Sequence, residues 1–211
     1  MEIEDKTLTI SGIILDTVIW TSDQIPATNC LIDDIIHDKD RGVAMEWVWD
    51  AIPSEPCRYT GKFGSRDAFT LTMVCGKYKV VGEAEEDIKR HHRQARAYID
   101  YVKSFFAGGS GDDRLRPDAR IFEEDHNSSA RDRRFLVTEG GFYGLGPQLM
   151  QEKDVVAVLP GLNVPFVLRP TGDKYRLVGA SYVHGVMRGE VFDSSNPLRL
   201  DIGKPVDIVI V

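Results

Sequence analysis

The last third of the chain alternates short apolar runs with turn residues, and this pattern constrains the fold more than any other feature. Three hairpin-like units follow one another, with turn chemistry at Gly140-Gly141, Pro160-Gly161 and Thr171-Gly172-Asp173. A further apolar run, Pro205–Val211, follows them. Short strands at hairpin spacing predict a small antiparallel β-barrel or a strongly curled sheet, because closure removes exposed strand edges.

The run Val155–Leu159 is apolar at every position. A strand of this kind has both faces covered, so we expect it to be central, with a neighbouring strand on each side. Gly179 interrupts the third hairpin unit and predicts a bulge that bends the sheet towards closure. The β-branched, apolar stretch over residues 8–20 is a further predicted strand, and it can complete the barrel.

The clearest helix in the sequence is Glu83–Ala107, whose apolar residues recur every three or four positions behind an acidic first turn. The residues that we expect this helix to bury are Ile88, Ala95, Ile99 and Val102. Shorter helical patterns occupy Pro26–Asp38 and Val43–Ile52, whereas Asp67–Val81 fits a buried helix or a strand equally well. Residues 108–132 are charged and contain Gly and Ser, which indicates a flexible loop.

The predicted fold class is therefore α+β, with a helical layer joined to a C-terminal small antiparallel β-barrel or strongly curled sheet. We expect three segments: an N-terminal strand and helical region over 1–107, the charged flexible loop over 108–132, and a barrel-like unit over 133–211. The strand at 8–20 is the candidate to join that unit.

The charge balance excludes two classes of partner. Lys and Arg number 26 against 33 Asp and Glu, which gives a formal net charge of −7. Nucleic-acid binders normally carry a basic excess, so we expect no nucleic-acid partner, and the same argument applies to anionic membrane surfaces. The sequence contains no apolar run of about 20 residues, the length of a membrane span, and no secretory signal, so the expected location is cytoplasmic.

Four side chains of the barrel-like unit are candidates for contact with a ligand or a partner: Arg169, Tyr182, His184 and Glu190. His184 is the histidine most typical of a general base, and Glu190 could orient it, but no nucleophile motif accompanies the pair. A structural role for His184 and an ion pair between Arg169 and Glu190 are the alternatives. We assign no metal site, because the histidines lack metal-ligand spacing. We also assign no catalytic residue and no cofactor.

Three ordered motifs carry a resemblance to a known family: RRFLVTEGGFYGLGP, KDVVAVLPGLNVPFVLRP and YRLVGASYVHGVMRGE. Together they resemble the closing segment of fungal heterokaryon incompatibility (HET) domain proteins, over about Arg133 to Glu190. That family acts in allorecognition between fungal strains, which ends in programmed cell death. Nothing in the 211 residues resembles the family's N-terminal HET domain, so the resemblance implies the C-terminal accessory region without its effector.

Two functions from different classes follow. The first is a non-enzymatic regulatory, sensing or protein-interaction region, whose partner is another protein or the missing effector domain. The alternative is a small-ligand-binding β-barrel with its site near the four candidate side chains. A hydrolase that uses His184 would need a nucleophile that the sequence does not offer, so we expect no enzymatic activity.

Overall fold

The computed structural model describes residues 7–25, 44–52, 64–77, 84–106, 117–192 and 203–211. The strands are β1 Leu8–Thr21, β2 Arg133–Thr138, β3 Tyr143–Pro147, β4 Val155–Val158, β5 Phe166–Thr171, β6 Lys174–Ala180, β7 Tyr182–Val183 and β8 Val206–Ile210. The helices are α1 Ala44–Ala51, α2 Ser65–Met73, α3 Ala84–Phe106 and α4 Pro117–Ala130, and a 3-10 turn covers Glu190–Phe192. The predicted helix at Pro26–Asp38 lies outside the described residues.

The eight strands form one sheet that closes on itself. Their order is β4-β5-β6-β8-β1-β2-β3-β7, and β4 also pairs with β1. The long β1 makes this closure possible, because Leu8–Gly12 pairs with β8 and Ile13–Thr17 pairs with β4. The strands β4, β5, β6, β8 and β1 therefore make a ring, which confirms the α+β class and the strongly curled sheet.

One pairing in the ring differs from the antiparallel prediction. Strands β6 and β8 run parallel, with Tyr175 opposite Ile210. The other four pairings of the ring are antiparallel. A closed ring with an odd number of strands cannot alternate direction throughout, so one parallel contact is required.

Strand β4 lies between β1 and β5, as its apolar sequence predicted. Val156 and Ala157 are fully buried, because the two faces of this strand contact different apolar clusters. The predicted bulge is also present: Val167 pairs with Gly179 and Leu168 with Leu177, so one extra residue is inserted in β6.

The predicted helix at Glu83–Ala107 is confirmed as α3. Ala95 and Val102 are buried, whereas Ile88 and Ile99 are half-buried. The pattern Val43–Ile52 corresponds to α1, and the ambiguous stretch after Asp67 is helical in its first part, as α2.

The flexible loop predicted for residues 108–132 is wrong over Pro117–Ala130, which is helix α4. Its buried residues recur at helical spacing, but several of them are polar, so the apolar pattern is weak. They are Ala119, Phe122, Glu123, His126, Ser129 and Ala130. Residues 107–116 lie outside the described residues.

The described helices and the sheet share one apolar core. The ring of Phe69 on α2 lies 5.2 Å from that of Phe135 on β2, and Phe135 lies 5.3 Å from Tyr143 on β3. Ala95 and Val102 of α3 belong to the same cluster. This core packs the helices directly against β2 and β3. The predicted division of the chain into three segments, 1–107, 108–132 and 133–211, stays a prediction.

Candidate functional site

Arg169 on β5 forms an ion pair with a buried carboxylate. Its Nε lies 2.8 Å from Asp154 Oδ1, its Nη2 lies 3.0 Å from Asp154 Oδ2, and Nη2 also donates to the carbonyl of Leu149 at 2.7 Å. Asp154 is 1% exposed. The arginine thus pairs with Asp154, and the alternative pairing with Glu190 is wrong.

The carboxylate of Glu190 acts on the ring of His184 near the turn that follows β7. Burial lowers the pKa of His184, and the carboxylate of Glu190 opposes this shift. The backbone N–H of His184 donates to the carbonyl of Tyr143 at 2.9 Å. Glu190 accepts a hydrogen bond from the backbone N–H of Arg188 at 2.6 Å, so its carboxylate also holds the turn.

Tyr182 belongs to the core that the helices share with the sheet. It is 9% exposed, and its hydroxyl approaches the turn after α2 so closely that a Cβ on Gly76 would lie 2.9 Å from it. The described residues form cavities of about 670, 510 and 260 Å³, and none of these three is lined by Arg169, Tyr182, His184 or Glu190. The contact role of the four residues stays a prediction.

The smallest of these cavities is a groove of mixed polarity between the loop after β4 and the turn after β7, and most of its lining residues are apolar. Two large apolar side chains at this groove are exposed, Leu162 at 48% and Phe192 at 52%. The other lining residues are Val158, Asn163, Val164, Pro165, Val186, Met187, Arg188, Gly189 and Val191. We call this surface the apolar groove.

The largest of the three lies on the helices and is called the charged groove below. It has a volume of about 670 Å³. Its lining residues are Trp49, Asp50, Arg66, Asp67, Thr70, His92, Arg93, Ala95, Arg96, Ile99, Asp100 and Lys103. Sequence reasoning missed this groove, because its walls come from three helices that are separated along the chain.

A layer of buried titratable groups lies between α3 and α4. Desolvation lowers the pKa of His91 and of His126 to about 4, and it raises the pKa of Glu123 to about 7. His91 Nε2 lies 3.3 Å from Thr70 Oγ1. Both histidines are therefore neutral at pH 7, which suits packing: their rings lie 5.7 and 6.3 Å from that of Phe122.

Two kinds of feature are absent from the described part of the chain. No group of three or more His, Cys, Asp or Glu side chains there is placed to hold a metal ion. None of the described helices combines the length and the apolar character that crossing a membrane requires.

Comparison with known proteins finds similarity in the C-terminal part of the chain. Residues 118–198 match the model of the Het-6 beta-barrel domain. This segment contains α4 except its first residue, Pro117, and the strands β2 to β7, whereas β1 and β8, which complete the ring, lie outside it.

The chain is also 37% identical over 83 residues to heterokaryon incompatibility protein 6, OR allele, of Neurospora crassa. The alignment covers 36% of this chain and 12% of that protein, so the chain spans a small part of this relative. No solved structure matches the chain. The resemblance to the accessory region of heterokaryon incompatibility proteins is confirmed by these two findings.

Proposed function

We propose that this chain is a non-enzymatic regulatory region that acts by protein contact in heterokaryon incompatibility, in the cytoplasm of fusing fungal cells. The observation that carries the proposal is the match of residues 118–198 to the Het-6 beta-barrel domain, together with the similarity to the Neurospora protein. In that relative the similar segment is 12% of a much longer chain, so the domain there works beside other parts of the protein. Recognition of non-self between strains, followed by programmed cell death, is the process in which we place it.

The apolar groove is the contact surface that we propose. It lies within the segment that matches the domain model. The side chains of Leu162 and Phe192, which both line it, are about half exposed. Burying such side chains against a partner is favourable by about 25 cal/mol per Å² of apolar surface. The proposed occupant is an apolar segment of the effector part of a heterokaryon incompatibility protein, because the domain accompanies other parts in the relative.

The non-enzymatic part of the proposal is supported by what the candidate polar side chains do. Arg169 is held by Asp154, Glu190 accepts from the backbone of its own turn, and His184 is buried. These contacts are those of structural groups. A ligand site at these residues is not favoured, because they line none of the three cavities described above.

The test is expression of the full chain in Neurospora crassa, with cell death scored by vital-dye uptake in fused hyphae. We expect the wild-type chain to change the fraction of dead fusion cells and the double variant Leu162→Asp/Phe192→Asp to lose the effect. Leu177→Asp is the matched control, because Leu177 is 52% exposed and lies outside the groove. Equal effects of the double variant and the control would exclude the groove, and no effect of the wild type would contradict the proposed function.

A second measurement addresses chemistry. The purified chain is expected to show no hydrolysis of dinucleotides or esters. Turnover that disappears in His184→Ala, with the fold intact by circular dichroism, would overturn the non-enzymatic assignment.

A further inference from the structure

We propose that the charged groove binds a small organic anion, a phosphate or carboxylate carried on a flat apolar group. The groove is built from α1, α2 and α3 and lies outside the segment that matches the Het-6 beta-barrel domain. The inference is therefore independent of the proposed function. Its volume of about 670 Å³ falls within the range of about 300–1,000 Å³ that is usual for small-molecule sites.

One wall of the groove is a row of cations along α3. Arg93 and Arg96 are three positions apart, so they lie on the same face of the helix, and Lys103 continues that face about 15 Å from Arg93. Arg93 and Arg96 are exposed, and neither forms an ion pair with a described acidic side chain. Two adjacent guanidinium groups can bracket one anion, and each offers a fork that matches phosphate or carboxylate oxygens.

The opposite wall contributes Arg66, whose position is fixed by stacking. Its guanidinium carbon lies 4.4 Å from the centroid of the Trp49 ring and 5.6 Å from that of Phe69. Stacking of this kind orients an arginine and limits its rotamer freedom. The groove thus presents cations from two separate helices, α2 and α3.

The charged lining consists of four cations and three carboxylates. Asp67 contacts His92, with 3.4 Å between Oδ1 and Nε2. Asp50 and Asp100 are the other two carboxylates, against the four cations Arg66, Arg93, Arg96 and Lys103. The lining therefore holds one cation more than carboxylates, on a chain whose formal net charge is −7.

The apolar part of the lining defines the other half of the ligand. Trp49, Ala95 and Ile99 line the groove between the charged walls. Ala95 is buried, and the side chains of Trp49 and Ile99 are half-buried. A flat apolar group on the anion would cover the exposed parts of Trp49 and Ile99, which free phosphate cannot do.

The experiment uses the purified full chain, with phenyl phosphate and benzoate as probes and isothermal titration calorimetry as the readout. We expect Arg93→Gln/Arg96→Gln to weaken binding of the better probe by about tenfold or more, equivalent to about 1.4 kcal/mol. Arg131→Gln/Arg176→Gln removes the same charge at two exposed arginines outside the groove and should leave binding unchanged. Inorganic phosphate lacks the apolar ring and benzyl alcohol lacks the anionic group, so both should bind more weakly than phenyl phosphate.

Several results would overturn the inference. Equal weakening by the two double variants would show a general charge effect, and undetectable binding of both probes at millimolar concentration would show that the groove is not a site. Inorganic phosphate that binds as tightly as phenyl phosphate would contradict the apolar half of the ligand. Because the replaced arginines are exposed, all variants are expected to remain folded, which circular dichroism checks.

Discussion

Asp154 and Arg169 face each other as a two-pronged ion pair, and only the carboxylate is fully removed from water. Asp154 also accepts the backbone N–H of Gln151 at 2.9 Å, so this carboxylate joins the turn before β4 to strand β5. We expect this ion pair to stabilise the closed ring of strands, because Asp154 directly precedes β4 and Arg169 lies on the neighbouring strand β5.

Arg169→Ala should lower the free energy of unfolding by roughly 1–3 kcal/mol, because a buried carboxylate loses its partner while it keeps a backbone donor. Urea denaturation measures the change. Arg176→Ala is the control: Arg176 is exposed and lies directly opposite Arg169 on β6, so its removal relieves repulsion between like charges. A loss of stability in Arg176→Ala as large as that in Arg169→Ala would contradict the importance of the ion pair.

Gly144 allows β3 and β7 to approach closely. A Cβ at this position would lie 2.5 Å from the carbonyl oxygen of Tyr182, so Gly144→Ala must displace the backbone. We expect a loss of roughly 1–3 kcal/mol in the free energy of unfolding, as is usual for overpacking. Gly64→Ala serves as control, because nothing lies within 4 Å of its Cβ position and the loss should stay below about 1 kcal/mol.

Val102 on α3 contacts the shared core and is 6% exposed. Val102→Asp buries a charge without a partner and should destabilise by about 3 kcal/mol or more. Ser104→Asp is the control, because it introduces an aspartate two positions further along the same helix, at an exposed residue. Chemical denaturation of both variants should therefore separate burial from helix propensity, and equal losses would show that Val102 is not a core residue.

Glu123 should give a pH-dependent change in stability. Its pKa in the folded state is about 7, against an ordinary 4.5, so the folded state holds the proton more tightly than the unfolded state. Ionisation therefore destabilises the fold progressively between pH 4.5 and 7. Glu123→Gln should gain little near pH 4.5 and roughly 1–3 kcal/mol in the free energy of unfolding above about pH 7.

The neighbouring carboxylate of Glu124 also raises the pKa of Glu123, though less than burial does, so Glu124→Gln should change the pH dependence of stability in the same direction by a smaller amount. Comparison between variants is needed because His91 and His126 act in the opposite direction. Their pKa values fall from 6.5 to about 4, so the stability that they provide is lost as the pH falls through that window. A gain in Glu123→Gln that is the same at pH 4.5 and pH 8 would contradict the raised pKa.

Local patterns predicted several elements correctly. Helix α3 follows from its acidic first turn and from apolar residues at three- and four-residue spacing, both of which act within one helix. The central position of β4 follows from its unbroken apolar run, since such a strand is stable only between neighbours. The bulge at Gly179 was predictable because a glycine within a strand weakens regular pairing.

Helix α4 was missed because its buried face carries Glu123, His126 and Ser129 in place of apolar side chains. Helical periodicity in the sequence places polar residues of this kind on the solvent side. In the structure they are buried by the long interface with α3. Pro117 at the first helical position, followed by Asp118, was the local signal that could have indicated a helix start.

By itself the sequence determined the α+β class, the strands of the barrel-like unit and the resemblance to heterokaryon incompatibility proteins, because hairpins, helix periods and ordered motifs are local properties. Only the tertiary structure decided which partners meet across the chain. One such contact is the pairing of Leu8 with Ile210, which helps to close the ring. Another is the groove that brings together Trp49, Arg66 and Arg93 from three separate helices. Such contacts depend on how whole elements pack, and no local pattern records that packing.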